Sequence, residues 1–412
     1  MTGSGRLTYT VVVYTRPSHW VENGNSTARK SSGRTLGNLF VMASALQRLP
    51  RVASCHPLRV FSTLQTSSTP LAPPPIPVPI HNRPLLVSSS SPSFPKYLAP
   101  AEPSFPALVT PSAPFSSIAE LGEAVDCHIS SQLETHGALL FRLGSAINSP
   151  IEFNTLIESL SSSPMHYTGG STVRTSVATN VLTASDDPPL VTIEPHNEMS
   201  YTADPPTRIA FYCMSTASHD GQTPIAKNEE ILKNLITESP ALVAKFRTKG
   251  VQYTRYLPDK SSGEFASWQT QFFTEDKATV ESYAAAQNHA ISFDSADNLT
   301  VTYTLPAFVN VNGSEVFCNQ AHCVHSSYWQ EHPAYEAAAA TRPEHMYPTH
   351  TAFGDGERIS GEEMAALRAA TWRACRAVTW EAGDVLVLDN LRVQHGRIGF
   401  EGDRKVFASI LK

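Results

Sequence analysis

The chain is predicted to be mainly β with flanking helices, an antiparallel β core carrying helical insertions. Three observations lead there. Residues Arg208–Met214 carry the period of a strand, and Leu299–Val311 is rich in β-branched side chains. Val378–Asn390 and Arg404–Leu411 add strands from the far end of the chain. Strands therefore come from both halves, with helical stretches between them.

Taken in order, residues 1–68 stand apart, with eight Lys/Arg and a single acid, Glu22. From Met42, the stretch Met42-Ala43-Ser44-Ala45-Leu46-Gln47-Arg48-Leu49-Pro50-Arg51 puts Leu46 and Leu49 on one helical side and Arg48 and Arg51 on the other. Arg-rich, Ser-rich and acid-poor is the composition of a transit peptide, mitochondrial or plastid, and a mitochondrial location is the expectation. A plain disordered tail is the alternative, because Pro50 and Pro57 limit any helix to a turn or two. Residues 69–100 read as a Pro/Ser-rich linker without a core, with nine prolines between 70 and 95. The folded domain is expected over 101–412.

Inside it, Ser116–Glu134 has Ile118, Leu121, Val125 and Ile129 on one helical face. Residues 137–143 form a short apolar strand, and Ile151–Leu160 is a second amphipathic helix. Residues 226–247 and 273–288 are Ala- and Glu-rich helical stretches. Ala334–Ala340 and Gly361–Arg376 are helical again. Gly383-Asp384 marks a turn within Val378–Asn390.

Composition narrows the function. Hydrophobic residues make up 41% and charged residues 17%, enough for a globular core. A net charge of -6 gives no reason to expect nucleic acid as a partner. No run of 18 apolar residues predicts a membrane span. The cysteines at 55, 127, 213, 318, 323 and 375 are too scattered for a disulfide scaffold and point to free thiols in a reducing compartment. Oligomeric state is left open.

The chemistry centres on Glu194-Pro195-His196-Asn197-Glu198-Met199-Ser200-Tyr201. Pro195 opposes a continuing helix, and in an extended chain His196 and Glu198 face the same way. His395 is the best third ligand. Two imidazoles and a carboxylate on one face of a metal form the facial triad of non-haem Fe(II) oxygenases. With 15 His and 37 Asp+Glu, a His-x-acid pair arises by chance about once, so the surrounding words must carry the case.

Those words are Thr172-Val173-Arg174-Thr175, Pro195 to Tyr201, Asp220-Gly221-Gln222-Thr223-Pro224-Ile225-Ala226, Ser267-Trp268-Gln269 and Phe317-Cys318-Asn319-Gln320-Ala321-His322. Gly383-Asp384-Val385 with Asp389-Asn390, and His395-Gly396-Arg397 with Gly402-Asp403-Arg404-Lys405-Val406, complete them. From about residue 105 onward the chain resembles the taurine dioxygenase-like family of Fe(II)/2-oxoglutarate-dependent oxygenases, in the branch related to clavaminate synthase. The resemblance implies a double-stranded β-helix, or jelly-roll barrel, with the metal at one open mouth. It implies His196, Glu198 and His395 as iron ligands and catalytic centre, with Glu198 where many relatives have Asp. It implies Fe(II) as cofactor, with 2-oxoglutarate and O₂ as co-substrates.

Arg404 matches the family's arginine for the far carboxylate of 2-oxoglutarate, and Thr223 matches its threonine. Lys405 faces the other way on the same strand, and Arg397 is a rival two residues from a ligand. The implied reaction is oxidative decarboxylation of 2-oxoglutarate coupled to hydroxylation, or related C–H oxidation, of a small molecule such as an amino acid or organic acid. Arg174 serves as a substrate-side cation or a structural ion-pair partner. Trp268 and Asn319 are candidates for the substrate pocket, with a core role as the alternative for Trp268. Loops 166–187 and 253–272 are expected to line that pocket.

A catalytically silent protein of the same fold, or a zinc enzyme on the same ligands, would need a lost cofactor residue or a His-Glu-x-x-His helix. The sequence has neither. Cys318, His322, Cys323 and His325 lie close together but match no common structural zinc spacing.

Overall fold

In the computed structural model, residues 63–165, 167, 174–264, 267–335 and 341–412 are described. The transit-peptide reading of the basic segment and most of the helix expected at Ala334–Ala340 lie outside them.

An eight-stranded sheet runs, edge to edge, through Leu64–Thr66, Ala107–Pro111, Ala138–Arg142, Asp384–Asp389, Arg208–Ser215, Lys405–Leu411, Val181–Thr183 and Ser176–Ala178. Its pairings are antiparallel except Ala107–Pro111 with Ala138–Arg142. The central strands are apolar on both faces because both faces are covered. Ile209, Phe211 and Cys213 point into one core, while Ala210 and Tyr212, alternate in sequence, point into another.

The second core is capped by two helices, Ile118–His136 and Pro150–Ser159. Leu121, Val125, Ile129 and Leu133 form the buried stripe of the first. Ser117 caps its start by accepting from the Glu120 N–H, and Gly137 ends it with φ 77, where a side chain would be strained.

The first core lies between the large sheet and a four-stranded antiparallel sheet, in the order Arg376–Val378, Thr223–Lys227, Val393–Arg397, Ile193–His196. This small sheet carries both histidines of the predicted metal site. Its outer side is backed by the helices Asn228–Glu238 and Gly361–Ala374, whose Ile231, Leu235, Met364 and Leu367 are buried. A further four-stranded sheet of Ala290–Phe293, Leu299–Leu305, Val251–Leu257 and Thr349–Phe353 stands beside them.

Several elements depart from expectation. The helix expected over 226–247 breaks at Ser239-Pro240 into two, since proline removes an internal hydrogen bond. The strand expected over Leu299–Val311 breaks at Pro306, and its second part turns back at Asn312-Gly313. Both turn residues have positive φ, 50 and 84, the geometry of a two-residue hairpin turn. The 253–272 stretch is not all loop, because Val251–Leu257 is an inner strand with Tyr253 buried.

The reading of 69–100 as a linker without a core is corrected. The segment has almost no regular secondary structure. Yet Leu71, Val78, Ile80, Leu86, Phe94 and Leu98 are buried in the main core, and Phe94 packs 6.1 Å from Trp372. Proline fixed the backbone of this segment without keeping its apolar side chains out of the interior. Phe94→Ala is predicted to cost about 3–5 kcal/mol by chemical denaturation. A chain beginning at residue 99 should melt well below one beginning at residue 63.

Candidate active site

His196 is the last residue of Ile193–His196, and His395 sits in the middle of Val393–Arg397. The antiparallel register sets them directly opposite each other. Their rings are 4.5 Å apart between centroids, as cross-strand neighbours on one face must be.

Glu198 reaches the same point differently from expectation. The strand ends at His196, and Glu198 lies in the turn that follows, where Met199 has φ 53. Continuous extension is not what aligns the pair. A buried amide network holds the turn instead. Asn390 accepts from the Glu198 N–H at 2.7 Å and donates to the Glu198 carbonyl at 2.9 Å. Asn197 donates to the Asn390 carbonyl at 2.6 Å and accepts from Asn228 at 3.2 Å. Gln320 donates to the Asn197 carbonyl at 2.6 Å. Asparagine suits this task because it satisfies buried backbone groups of both kinds.

The Glu198 Oε2 atom lies 3.9 Å from His196 Nε2 and 3.7 Å from His395 Nε2. Among the described residues this is the one cluster whose ligand atoms could hold a metal together. The Nδ1 of His196 bonds the Glu194 carbonyl at 2.9 Å, so its Nε2 carries the free lone pair toward the centre. Burial lowers the pKa of His196, and burial with the neighbouring His196 ring lowers His395 further. Both rings stay neutral, the form that binds metal. Two imidazole nitrogens and one hard oxygen suit Fe(II), and the same set suits zinc.

Two cavities meet at this cluster. His196, Arg174, Asp187 and Ile193 line both. The first also takes in His395, Thr223, Arg397 and Arg404. Arg404 donates to the Gly221 carbonyl at 3.1 Å and approaches the Thr223 hydroxyl at 3.5 Å. Burial and the nearby Arg397 push it down to about 10, still charged at neutral pH. No described carboxylate pairs with it. Trp380 donates to the Thr223 oxygen at 3.0 Å, which leaves the threonine proton free to be given to a ligand. Arg397 is already spent on the carbonyls of Asp187, Pro188 and Val191. Lys405 is half-exposed and paired with Asp403.

The second cavity takes in Glu198 and is walled by Tyr201, Tyr328, Trp329 and Gln320. Arg174 stands between the two. Its Nη2 donates to Glu198 at 2.7 Å, its guanidinium lies over the Tyr167 ring, and its Nε and Nη1 are buried without a hydrogen-bond partner among the described residues.

Of the remaining candidates, Trp268 is not brought to the site. It is buried in a separate small core against Phe293, and its indole N–H bonds the Asp297 carbonyl. Asn319 is also structural, donating to the Ala307 carbonyl and accepting from the Ala321 N–H; its neighbour Gln320 lines the cavity instead. Cys318, His322, Cys323 and His325 form no metal cluster, and the two thiols are free. Trp380 and Asn228 carry no signal in the sequence, and Asn197 lies within a motif that does not reveal its role, because each acts through a contact made only in the fold.

Residues 98–410 match the taurine catabolism dioxygenase TauD, TfdA family. The chain is 35% identical over 299 residues to the dapdiamide synthesis protein DdaC of Enterobacter agglomerans, covering 72% of this chain and 88% of that protein. It is 29% identical over 291 residues to a clavaminate synthase-like protein of Arabidopsis thaliana, covering 69% and 84%. The solved PvcB protein of Pseudomonas aeruginosa is similar at 16% identity and a TM-score of 0.42, covering 74% of this chain and 84% of that one.

Beside the site, burial and the Arg368 charge hold His322 down to about 3, and burial with His350 holds His325 down to about 2. An unfolded chain protonates such rings near the ordinary value of about 6.5, while the folded chain does not. The stability they contribute is therefore complete above that pH and lost as the pH falls below it. Each costs about 1.4 kcal/mol per pH unit until its folded value is reached. Urea melts of the metal-free protein at successive pH values below neutrality should show this loss. His322→Gln should flatten the slope by one such increment; an unchanged slope contradicts the assignment.

Proposed function

We propose that this chain, which belongs to the taurine catabolism dioxygenase TauD, TfdA family, couples oxidative decarboxylation of 2-oxoglutarate to hydroxylation, or a related C–H oxidation, of a small molecule such as an amino acid or organic acid. The family consists of oxidoreductases whose cofactor is Fe(II), with 2-oxoglutarate and O₂ as co-substrates. One observation carries the reading. Three ligand atoms converge beside a cavity that also holds the Arg404 guanidinium, which has no carboxylate partner among the described residues.

His196, Glu198 and His395 would hold the metal, and Arg404 with Thr223 would take the far carboxylate of 2-oxoglutarate. When bound, iron and its co-substrates supply the oxidation that converts 2-oxoglutarate to succinate and CO₂ and attacks a substrate C–H bond. The chain's own residues prepare for it. The amide network around Asn390 fixes the Glu198 backbone and Arg174 holds its carboxylate before any ligand arrives, so little is spent on ordering it. The planar Arg404 fork suits a carboxylate, and the Thr223 proton adds a second donor. Phe211, 4.9 Å from the His395 ring, excludes water from one side. The aromatic walls of the second cavity give a substrate apolar contact beside the metal, and Arg174 offers it a cation.

The two facing sheets that hold the cluster between them support a double-stranded β-helix. Relatives named for dapdiamide synthesis and for likeness to clavaminate synthase support a small-molecule substrate. The presence of Glu198 speaks against halogenation, which needs that position emptied of its carboxylate. A zinc enzyme on the same ligands would leave the Arg404 and Thr223 arrangement without a use, whereas a silent metal/2-oxoglutarate-binding protein would use it and release no succinate.

Anaerobic protein given Fe(II) and 2-oxoglutarate should develop a weak visible charge-transfer band, and air should release succinate slowly without substrate. Glu198→Ala should lose stoichiometric iron. Arg404→Lys should weaken 2-oxoglutarate binding about 10–100-fold, the worth of a charge-assisted pair of about 1.5–3 kcal/mol. Zinc rather than iron after anaerobic purification, or unaltered 2-oxoglutarate affinity in the Arg404 variant, contradicts the reading.

A further inference from the structure

Arg83 lies in the segment 63–97, ahead of the stretch matched to the family. Its side chain is 13% exposed, and its guanidinium is fully engaged. Nη2 donates to Asp220 at 2.7 Å and to the Gly399 carbonyl at 2.8 Å. Nε donates to the Thr192 hydroxyl at 3.2 Å, and Nη1 to the Pro79 carbonyl at 3.0 Å. The Thr192 oxygen also accepts from the Gly399 N–H at 3.1 Å.

Three of these four partners lie close in sequence to residues of the site. Thr192 immediately precedes Ile193–His196, Gly399 follows Val393–Arg397, and Asp220 stands just ahead of Thr223. Asp220 is also paired across a short ladder with Phe400. One planar cation thus ties together the three backbone segments that deliver His196, His395 and Thr223.

The Asp220 corner bears directly on Arg404. Asp220 and Gly221 both have positive φ, 59 and 76. A side-chain carbon on Gly221 would stand 3.2 Å from Arg404 Cδ and 3.1 Å from Phe400 Cβ, so the backbone here rests on the stem of Arg404. The Gly221 carbonyl then accepts from Arg404 Nε at 3.1 Å. A shift of this corner moves Arg404 and Thr223 together.

We propose that Arg83 is a positioning residue for the 2-oxoglutarate end of the site, acting through Asp220 and Gly221 on Arg404 and Thr223. This rests on the assignment of Arg404 and Thr223 to the far carboxylate. A lysine cannot replace Arg83, because an ammonium on a flexible stem does not reproduce the flat fork that meets three segments at once.

The test uses the full chain and two variants, Arg83→Lys and Asp220→Asn. The second takes the charge out of the same tie from the other side and keeps a residue that tolerates positive φ. Fe(II) affinity is measured by anaerobic equilibrium dialysis without 2-oxoglutarate. Affinity for 2-oxoglutarate is then read from the charge-transfer band of the iron-loaded protein. Both variants should weaken 2-oxoglutarate binding roughly tenfold, the low end of what losing a supporting contact costs, with Fe(II) affinity held within about twofold. Unchanged 2-oxoglutarate affinity in folded variants, or an equal loss of Fe(II) affinity, overturns the proposal. A wild-type chain with no 2-oxoglutarate-dependent band overturns this proposal and the assignment beneath it together; a wild-type band with unaffected variants overturns this one alone.

Discussion

The antiparallel pairing that sets His395 opposite His196 is the constraint on which the rest of the site depends. A slip of one residue in that ladder would turn one ring to the other face of the small sheet. The register is secured on both sides. Val393 and Ile225 are buried in the main core, and the small sheet faces the large one through Phe211. Gly396 lies so close to the neighbouring strand that a side chain there would stand 2.5 Å from the Ile193 carbonyl. Packing and backbone geometry thus select the same alignment that the chemistry requires.

Around this ladder the interior holds charge where a purely structural core would not. Glu194 and Arg368 form a fully buried pair two residues from His196, with Arg368 Nε 2.8 and 3.0 Å from the two carboxylate oxygens. Burial raises the Glu194 carboxyl above the usual carboxylate range, and the charge and hydrogen bond of Arg368 pull it back. Arg368 also donates to the His322 carbonyl and to Ser327, fixing the layer behind the His196 strand. Such a pair adds little net stability over an apolar replacement, but its removal from one side is costly. It defines where the strand lies. On the other side of the ligands Arg174 and Arg404 are buried cations, and Arg404 has no acid partner among the described residues.

Much of this was legible in the chain itself, and the reasons differ by element. The helix Ile118–His136 declares itself because its buried residues repeat with the period of a helix, and the strands Arg208–Ser215 and Lys405–Leu411 because they are short apolar runs, buried on both faces. The convergence of His196, Glu198 and His395 was legible only through neighbouring words, since a His-x-acid pair is close to what chance supplies. Glu198 reaches the cluster from a turn, which no period reports. Trp268 and Asn319 were misplaced because a motif marks a residue as constrained without saying whether packing or substrate constrains it. The proline-rich segment was misread for a related cause. Proline predicts the absence of helix and strand, and that much holds, but it says nothing about where Ile80 and Phe94 put their side chains. Arg83 is invisible in the sequence for the same reason, as three of its four partners are more than a hundred residues away.

On the function proposed here, strand register, an amide-locked turn and a guanidinium with no acid partner among the described residues together form one iron and 2-oxoglutarate site. A crystal structure of the protein grown anaerobically with Fe(II) and 2-oxoglutarate tests it most directly. The account predicts one metal ion held by the Nε2 atoms of His196 and His395 and by the Glu198 carboxylate, with the far carboxylate of the diacid on Arg404 and Thr223. A metal held by other side chains, or a diacid lying away from Arg404, would contradict it.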